Sequence, residues 1–377
     1  MQRIRYRKQS RTMKNMIEYV IGEKHSFINK KFSSVDSLVL SQMAYLKFDG
    51  IVPGLSDTAS AMPIREIAAM GDMDILFQDV RDSNNNQQLF LAFVNSPRFC
   101  DTKLAFYINQ FDNKAEKQFS AITFLLNDDS TYIAFRGTDS TFIGWKEDFN
   151  MAFVSPIPSQ KEGTDYLNVV ANKVSGKLRT GGHSKGGNIA VYSAIHCDPS
   201  VQNRIEHIYS HDGPGFRDEV LRSNGYLMIK DRINKTLPQS SIIGMLLHHQ
   251  EQYSVVKSNR IWFMQHDPFS WLIDGSDFQY LPSISKSATY MNGTLNQWVN
   301  LYDDQKRELF VNTLFQVLQA TGATTFYDLT GDWHKRAVAA LGAMRGIDEE
   351  TRTFLLQTIW SLFVLAIKNM HEISLGK

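Results

Sequence analysis

The stretch RTGGHSKGGNIA, residues 179–190, sets four glycines, a histidine, a serine and a lysine immediately before an apolar run. Three local structures compete for such a composition: a phosphate-cradling loop, an ordinary tight turn, and the mounting of a nucleophile. A phosphate loop of the Walker type needs glycine, four residues, then Gly-Lys-Ser/Thr, so that backbone amides wrap the phosphate while the lysine reaches it. Here Lys185 follows Ser184 and precedes two glycines, and that spacing fails. Gly182, His183, Ser184, Lys185 and Gly186 do satisfy G-x-S-x-G, the strand-to-helix elbow that holds a serine in a strained conformation and exposes its hydroxyl at a sheet edge. The flanks agree with this reading, because KLRTGG has the character of a buried strand and NIAVYSAIH that of a helix packed on a sheet.

Working outward, period-two apolar character in LAFYINQF, FSAITFLL and TYIAFRG predicts neighbouring antiparallel strands, with NDDS at 127–130 as the turn between the last two. IEHIYSHD, YSVVKS and RIWFMQHD are further strand candidates, a helix is expected around Asp165 to Val174, and SNNNQQ at 83–88 reads as an exposed break. Strands alternating with helices over this length predict an α/β fold, a mostly parallel sheet flanked by helices. After about residue 285 helical patterns dominate, which predicts a helical C-terminal appendage or cap over 286–377, behind a catalytic domain over 32–285 and a basic leader over 1–31. Within that leader MKNMIEYVI has the pattern of a short helix.

A second chemical element precedes the elbow serine by 46 residues, in YIAFRGTD at 132–139. An apolar strand ending in Arg-Gly-Thr can turn a backbone amide toward the nucleophile, and Gly137 permits the close turn. Together the segments FRGTDSTFIGWKEDFNMAF, GGHSKGGNIAVYSA, YSHDGPGF and QHDPFSW resemble a bacterial family of lipase-like proteins of unassigned physiological function, related to the class 3 lipases of the α/β-hydrolase superfamily. The resemblance covers roughly residues 30–285 and implies that the α/β fold is of the α/β-hydrolase type. It implies Ser184 as the nucleophile and the amides of Thr138 and Lys185 as oxyanion-hole donors, with the Thr138 hydroxyl as an additional donor. The lysine after the serine departs from the small or apolar residue of many class 3 lipases.

A serine needs a base, and in these hydrolases the chain order is serine, acid, histidine. Of ten histidines, His266 sits downstream at a position suited to the last strand of the sheet and is the candidate base. His248 and His249 lack HExxH spacing, so no metal site is expected, and His183 reads as a packed residue of the elbow. For the acid, Asp212 follows the serine by 28 residues, at the end of the next predicted strand and before a Gly-Pro-Gly turn. Asp267, which adjoins the base, is the alternative. Asp139, Trp145, Glu147 and Asp148 form a polar cluster after the oxyanion strand, for which capping and salt bridging are sufficient roles.

The bulk composition is compatible with this assignment. The net charge of +1 offers no field for nucleic acid, and the chain carries no zinc-finger, basic-zipper or aromatic RNA-binding signature. The two cysteines, Cys100 and Cys197, are far apart, as expected of buried thiols in a reducing cytoplasm. The run FLLQTIWSLFVLAI at 354–367 is too short and too interrupted to span a bilayer, and no signal-peptide core follows the basic leader. That leader reads equally as a solvated tail or as a peripheral contact for anionic lipid. The expected activity is cofactor-free hydrolysis of a carboxylic ester, a lipid ester included, through Ser184, His266 and Asp212. Two other readings of the same site are a noncatalytic binding protein on a hydrolase scaffold and an acyltransferase.

Overall fold

The computed structural model describes residues 14–57, 60–71, 73–139, 141–323 and 333–375. Residues 1–13 of the basic leader therefore lie outside the described residues. The rest of it enters the fold, because the helix Met16–Gly22 buries Met16, Tyr19 and Val20.

Among the described residues nine strands form one sheet in the order β1 to β8 followed by β11. They are β1 (Met62–Pro63), β2 (Lys103–Asp112), β3 (Lys117–Leu125), β4 (Thr131–Phe135), β5 (Leu178–His183), β6 (Ile205–His211), β7 (Ile233–Pro238), β8 (Tyr253–Val256) and β11 (Tyr280–Leu281). A separate two-stranded ribbon pairs β9 (Ile273–Asp274) with β10 (Asp277–Phe278). Strands β4 to β8 run parallel, whereas β1 to β4 pair antiparallel at one margin and β11 pairs antiparallel with β8 at the other. The mixture follows from the connections. Short turns join β2, β3 and β4, as NDDS predicts, while helical crossovers join the parallel strands.

The central strands are buried on both faces, so successive residues feed two different cores. Tyr132 and Ala134 of β4 enter a core built with the helices Ser34–Met43 and Ser83–Asn95, whereas Ile133 and Phe135 enter a second core with the helices Pro158–Lys173 and Lys185–His196. Phe135 is fully buried, and truncating such a side chain to alanine costs about 3–5 kcal/mol. This two-sided burial is what holds the carboxyl ends of β4, β5 and β6 in fixed register: Phe135 lies opposite Gly182, and His183 opposite His211.

Two expectations from the sequence are corrected. SNNNQQ is the start of the helix Ser83–Asn95, capped by the Asp82 side chain on the Asn85 amide, because burial of Leu89, Phe90 and Phe93 outweighs the poor helix propensity of asparagine. RIWFMQHD is not a sheet strand, since Trp262–His266 forms a 3-10 turn outside the sheet. Its apolar run is exposed rather than buried, and an apolar run alone does not tell the two apart.

The helices Lys286–Asn300, Asp304–Ala320, Trp333–Gly346 and Glu349–Leu375 follow the sheet. Phe310, Val311, Phe315 and Leu355 from this group form a third core with Phe142, which opens the helix Phe142–Asn150 just after β4. No helix among the described residues is long and apolar enough to cross a membrane.

Candidate active site

The elbow is built by close backbone approach. A Cβ on Gly182 would collide with Gly186 and with the Phe135 carbonyl, and a Cβ on Gly186 would run into Phe135, so both positions must be glycine for β5 to turn straight into its helix against β4. At the apex Ser184 has φ 58° and ψ −132°, a conformation an L-residue with a Cβ adopts only when its surroundings enforce it. The Ser184 amide donates to the His211 carbonyl at 2.9 Å, and the Gly187 amide returns to the Ser184 carbonyl at 2.9 Å. The serine residue is 8% exposed, at the carboxyl end of the parallel strands.

Three side chains meet there. Ser184 Oγ lies 2.9 Å from His266 Nε2, and His266 Nδ1 lies 2.6 Å from Asp212 Oδ2. A carboxylate can only accept, so Nδ1 carries the proton and Nε2 is left to accept the serine hydroxyl, the tautomer that general-base chemistry needs. Asp212 is fully buried and its other oxygen is held by the Ser241 hydroxyl at 2.5 Å and the Gly244 amide at 3.1 Å. The loop carrying those donors is fixed from the C-terminal helices, where Asn292 donates to the Ser241 carbonyl and Asn296 to the Met245 carbonyl, each at 3.0 Å. Asp267 goes elsewhere: it pairs with Arg260 at 2.6 Å and accepts from the Phe269 amide at 3.1 Å.

His266 is positioned through its main chain. His183 Nε2 lies 2.8 Å from the His266 carbonyl, so it is the donor, and His183 Nδ1 accepts from the Tyr45 hydroxyl at 3.2 Å. Burial holds this imidazole far below the usual histidine range, which keeps it neutral and keeps that donor-acceptor order. The two imidazole rings are 4.5 Å apart, centre to centre.

Lys185 is the first residue of the elbow helix, so its amide has no intrahelical acceptor and is free to serve as a donor beside Ser184. Its side chain does not face solvent. It is fully buried, and Nζ meets three acceptors: Glu147 Oε2 at 2.8 Å, the Gln118 carbonyl at 2.9 Å and Gln118 Oε1 at 3.2 Å. Glu147 is equally saturated, accepting also from the amides of Gln118 at 3.1 Å and Ser159 at 2.9 Å. Next to it, Asp148 accepts the Thr138 hydroxyl at 2.6 Å. That hydroxyl is therefore spent on Asp148, and the contribution expected of Thr138 reduces to its amide. Burial pushes the Asp148 carboxyl up to about 6, against the lowering pull of Lys185 and Thr138.

Sequence comparison bears on the same segments. The model of the Mbeg1-like family matches residues 93–316, more than half of the chain. The chain belongs to the Mbeg1-like family. No curated protein matches it. Solved structures that resemble it include M37 lipase, at 14% identity and a TM-score of 0.38 over 57% of this chain and 70% of that one. A Rhizomucor miehei lipase–propeptide complex aligns at 15% identity and a TM-score of 0.36 over 67% and 73% of the two chains. A fungal lipase–inhibitor complex, described as a model for interfacial activation, aligns at 15% identity and a TM-score of 0.37 over 67% and 89%.

In this Mbeg1-like chain, sequence reasoning left three parts of the site unseen: the Lys185–Glu147 pair, the Tyr45–His183 support of His266, and the asparagines of Lys286–Asn300 behind the loop that holds Asp212. The first had a local signal. A lysine directly after an elbow serine must be buried, and a buried lysine demands a carboxylate, of which the polar cluster offered three.

Proposed function

We propose that the protein is a serine hydrolase that cleaves carboxylic esters through a Ser184–His266–Asp212 triad. The observation that carries the reading is the unbroken pair of hydrogen bonds, 2.9 Å from Ser184 Oγ to His266 Nε2 and 2.6 Å from His266 Nδ1 to Asp212, ending on a serine held at φ 58°. His266 Nε2 takes the hydroxyl proton as Oγ forms a bond to the ester carbonyl carbon, and the carbonyl oxygen becomes an oxyanion facing the amides of Thr138 and Lys185. The imidazolium, balanced by Asp212, returns that proton to the leaving alcohol as its C–O bond breaks. Water then repeats the sequence on the acyl-enzyme, giving the carboxylic acid and free Ser184. His266 relays both protons: the one from Ser184 leaves with the alcohol, and the one from water restores the serine hydroxyl.

Hydrolysis of a soluble p-nitrophenyl ester tests the reading. Turnover by the parent that falls by at least about a thousandfold in Ser184→Ala and in His266→Ala supports it, because a triad acts as one unit. A folded parent without turnover, or equal turnover in Ser184→Ala, overturns it.

A further inference from the structure

Two residues before the proposed base, the chain exposes four consecutive large apolar side chains. Ile261 is 70% exposed, Trp262 71%, Phe263 70% and Met264 45%. Isolated exposed apolar residues are ordinary on a soluble surface, but an uninterrupted run of this size is a defect unless something covers it.

The run is not a slack loop waiting to fold inward, because its root is pinned. Gln265 is buried, accepts from the Ser240 amide at 2.8 Å and donates to the Arg260 carbonyl at 2.9 Å. The Trp271 indole donates to the Gln265 carbonyl at 2.8 Å, and His183 holds the next carbonyl, that of His266. Trp262 sits at φ 54°, which a bulky side chain adopts only under constraint. The result is a rigid pedestal with an apolar tip, sharing one 3-10 turn with His266.

We propose that the Ile261–Met264 tip is a lipid-inserting wedge that seats the mouth of the Ser184 site on an anionic bilayer, so that the ester delivered to Ser184 is a membrane lipid. The substrate half of this statement rests on the hydrolase reading above. Size argues for lipid over protein, since four side chains on one turn do not supply the roughly 800 Å² per partner that a stable protein interface covers. Chemistry argues the same way: the tip has no side-chain hydrogen-bonding group beyond the Trp262 indole, the side chain best suited to a membrane interface. Charge specifies the bilayer. Arg260 at the root of the tip is neutralised by Asp267 at 2.6 Å, so the charge comes from the sequence ahead of Lys14, whose carbonyl accepts from the amide of Ile273, seven residues beyond His266. The sequence before it carries Arg3, Arg5, Arg7, Lys8 and Arg11 and no acidic residue. An apolar wedge and a basic segment together make the paired signal that stable peripheral binding requires.

The test is co-sedimentation of the full chain with large unilamellar vesicles of phosphatidylcholine, with and without phosphatidylglycerol. Each sample is paired with hydrolysis of a soluble p-nitrophenyl ester. The parent should pellet with the vesicles, and more strongly when phosphatidylglycerol is present. The Trp262→Ser/Phe263→Ser double variant should bind at least about tenfold more weakly, because two large apolar groups no longer leave water. Ile261→Ser/Met264→Ser is a second variant in case the first does not fold, and soluble-ester turnover equal to the parent's certifies the fold of either. Ser184→Ala should pellet like the parent, which separates the two proposals: vesicle binding without ester turnover sinks the hydrolase reading and the substrate claim while leaving the wedge. A parent that stays in the supernatant, or tip variants that bind as well as the parent, overturns the wedge. So does a concentration-dependent self-association that the tip substitutions abolish without any vesicle binding, which assigns the surface to a second copy.

Discussion

Two of the buried ion pairs, Arg98–Asp36 and Lys185–Glu147, look alike and have different work. Arg98 and Asp36 are both fully buried and meet at 2.6 Å, and the guanidinium spends its remaining donors on the carbonyls of His25, Ser26, Lys30 and Lys31. It also lies 4.1 Å over the Phe27 ring. That pair sews the N-terminal segment onto the helix Ser34–Met43, remote in sequence from any group in the proposed chemistry. Lys185 and Glu147 are as deeply buried and meet at 2.8 Å, but here the cation belongs to the residue whose amide flanks Ser184, and the anion to the helix whose Asp148 holds Thr138. The Lys185–Glu147 pair thus links the two halves of the proposed oxyanion site. A buried ion pair is costly either way. Only its position decides whether the fold alone, or the fold and the chemistry, depends on it.

Substitutions separate the two cases. Lys185→Met should have the largest effect, losing about 3–5 kcal/mol of stability because Glu147 is left buried and unpaired. It should also lower kcat per folded molecule as the Thr138 and Lys185 amides lose their common support. Urea unfolding and active-site-titrated ester kinetics read the two losses separately. Arg98→Met should cost a similar about 3–5 kcal/mol by stranding Asp36, yet leave kcat per folded molecule at the parent value. Equal kinetic damage from both variants breaks the comparison. Adding Glu147→Gln to Lys185→Met should recover part of the stability, since no lone charge remains, without restoring kcat.

The difference between these pairs also marks how far the sequence could be read. The elbow was legible because its chemistry is local: Gly182, Ser184 and Gly186 constrain one another through backbone contact within five positions. The strands around it were legible because β2, β3 and β4 carry recurrent apolar residues bounded by turn residues, as NDDS bounds β3 and β4. Asp212 was reachable from its place at a strand end, whereas His266 was named for a position in a strand that turned out to be an exposed turn. What escaped reading was partnership across distance. Lys185 with Glu147, His183 with Tyr45 and Asn292 with Ser241 are separated by 38, 138 and 51 positions, and no periodicity encodes such pairings.

Smaller effects come from pH. Burial pushes His211 down to about 3 and holds His183 well below its usual range, so both stay neutral in the fold. The unfolded chain takes up their protons as pH falls through about 6.5. The stability they contribute is therefore complete above that pH and is lost progressively below it, with a slope of about two protons from this pair. His211→Gln should remove about one proton from that slope in urea titrations. Asp148 has the opposite sign. Its carboxyl, raised to about 6, is disfavoured as an anion in the fold, so its contribution to stability falls as pH rises from about 4 through 6. Asp148→Asn should melt above the parent at pH values above about 6, by a margin that shrinks as pH falls toward about 4. A margin that widens in acid contradicts the assignment.

The most direct test of the central claim is to treat the native protein with a fluorophosphonate and locate the adduct by peptide mass spectrometry. The account predicts one phosphonylated residue, Ser184, in the parent and in Arg98→Met, with labelling slowed in Lys185→Met and abolished in His266→Ala. A folded parent that takes no label at Ser184, or takes it equally well without His266, contradicts it.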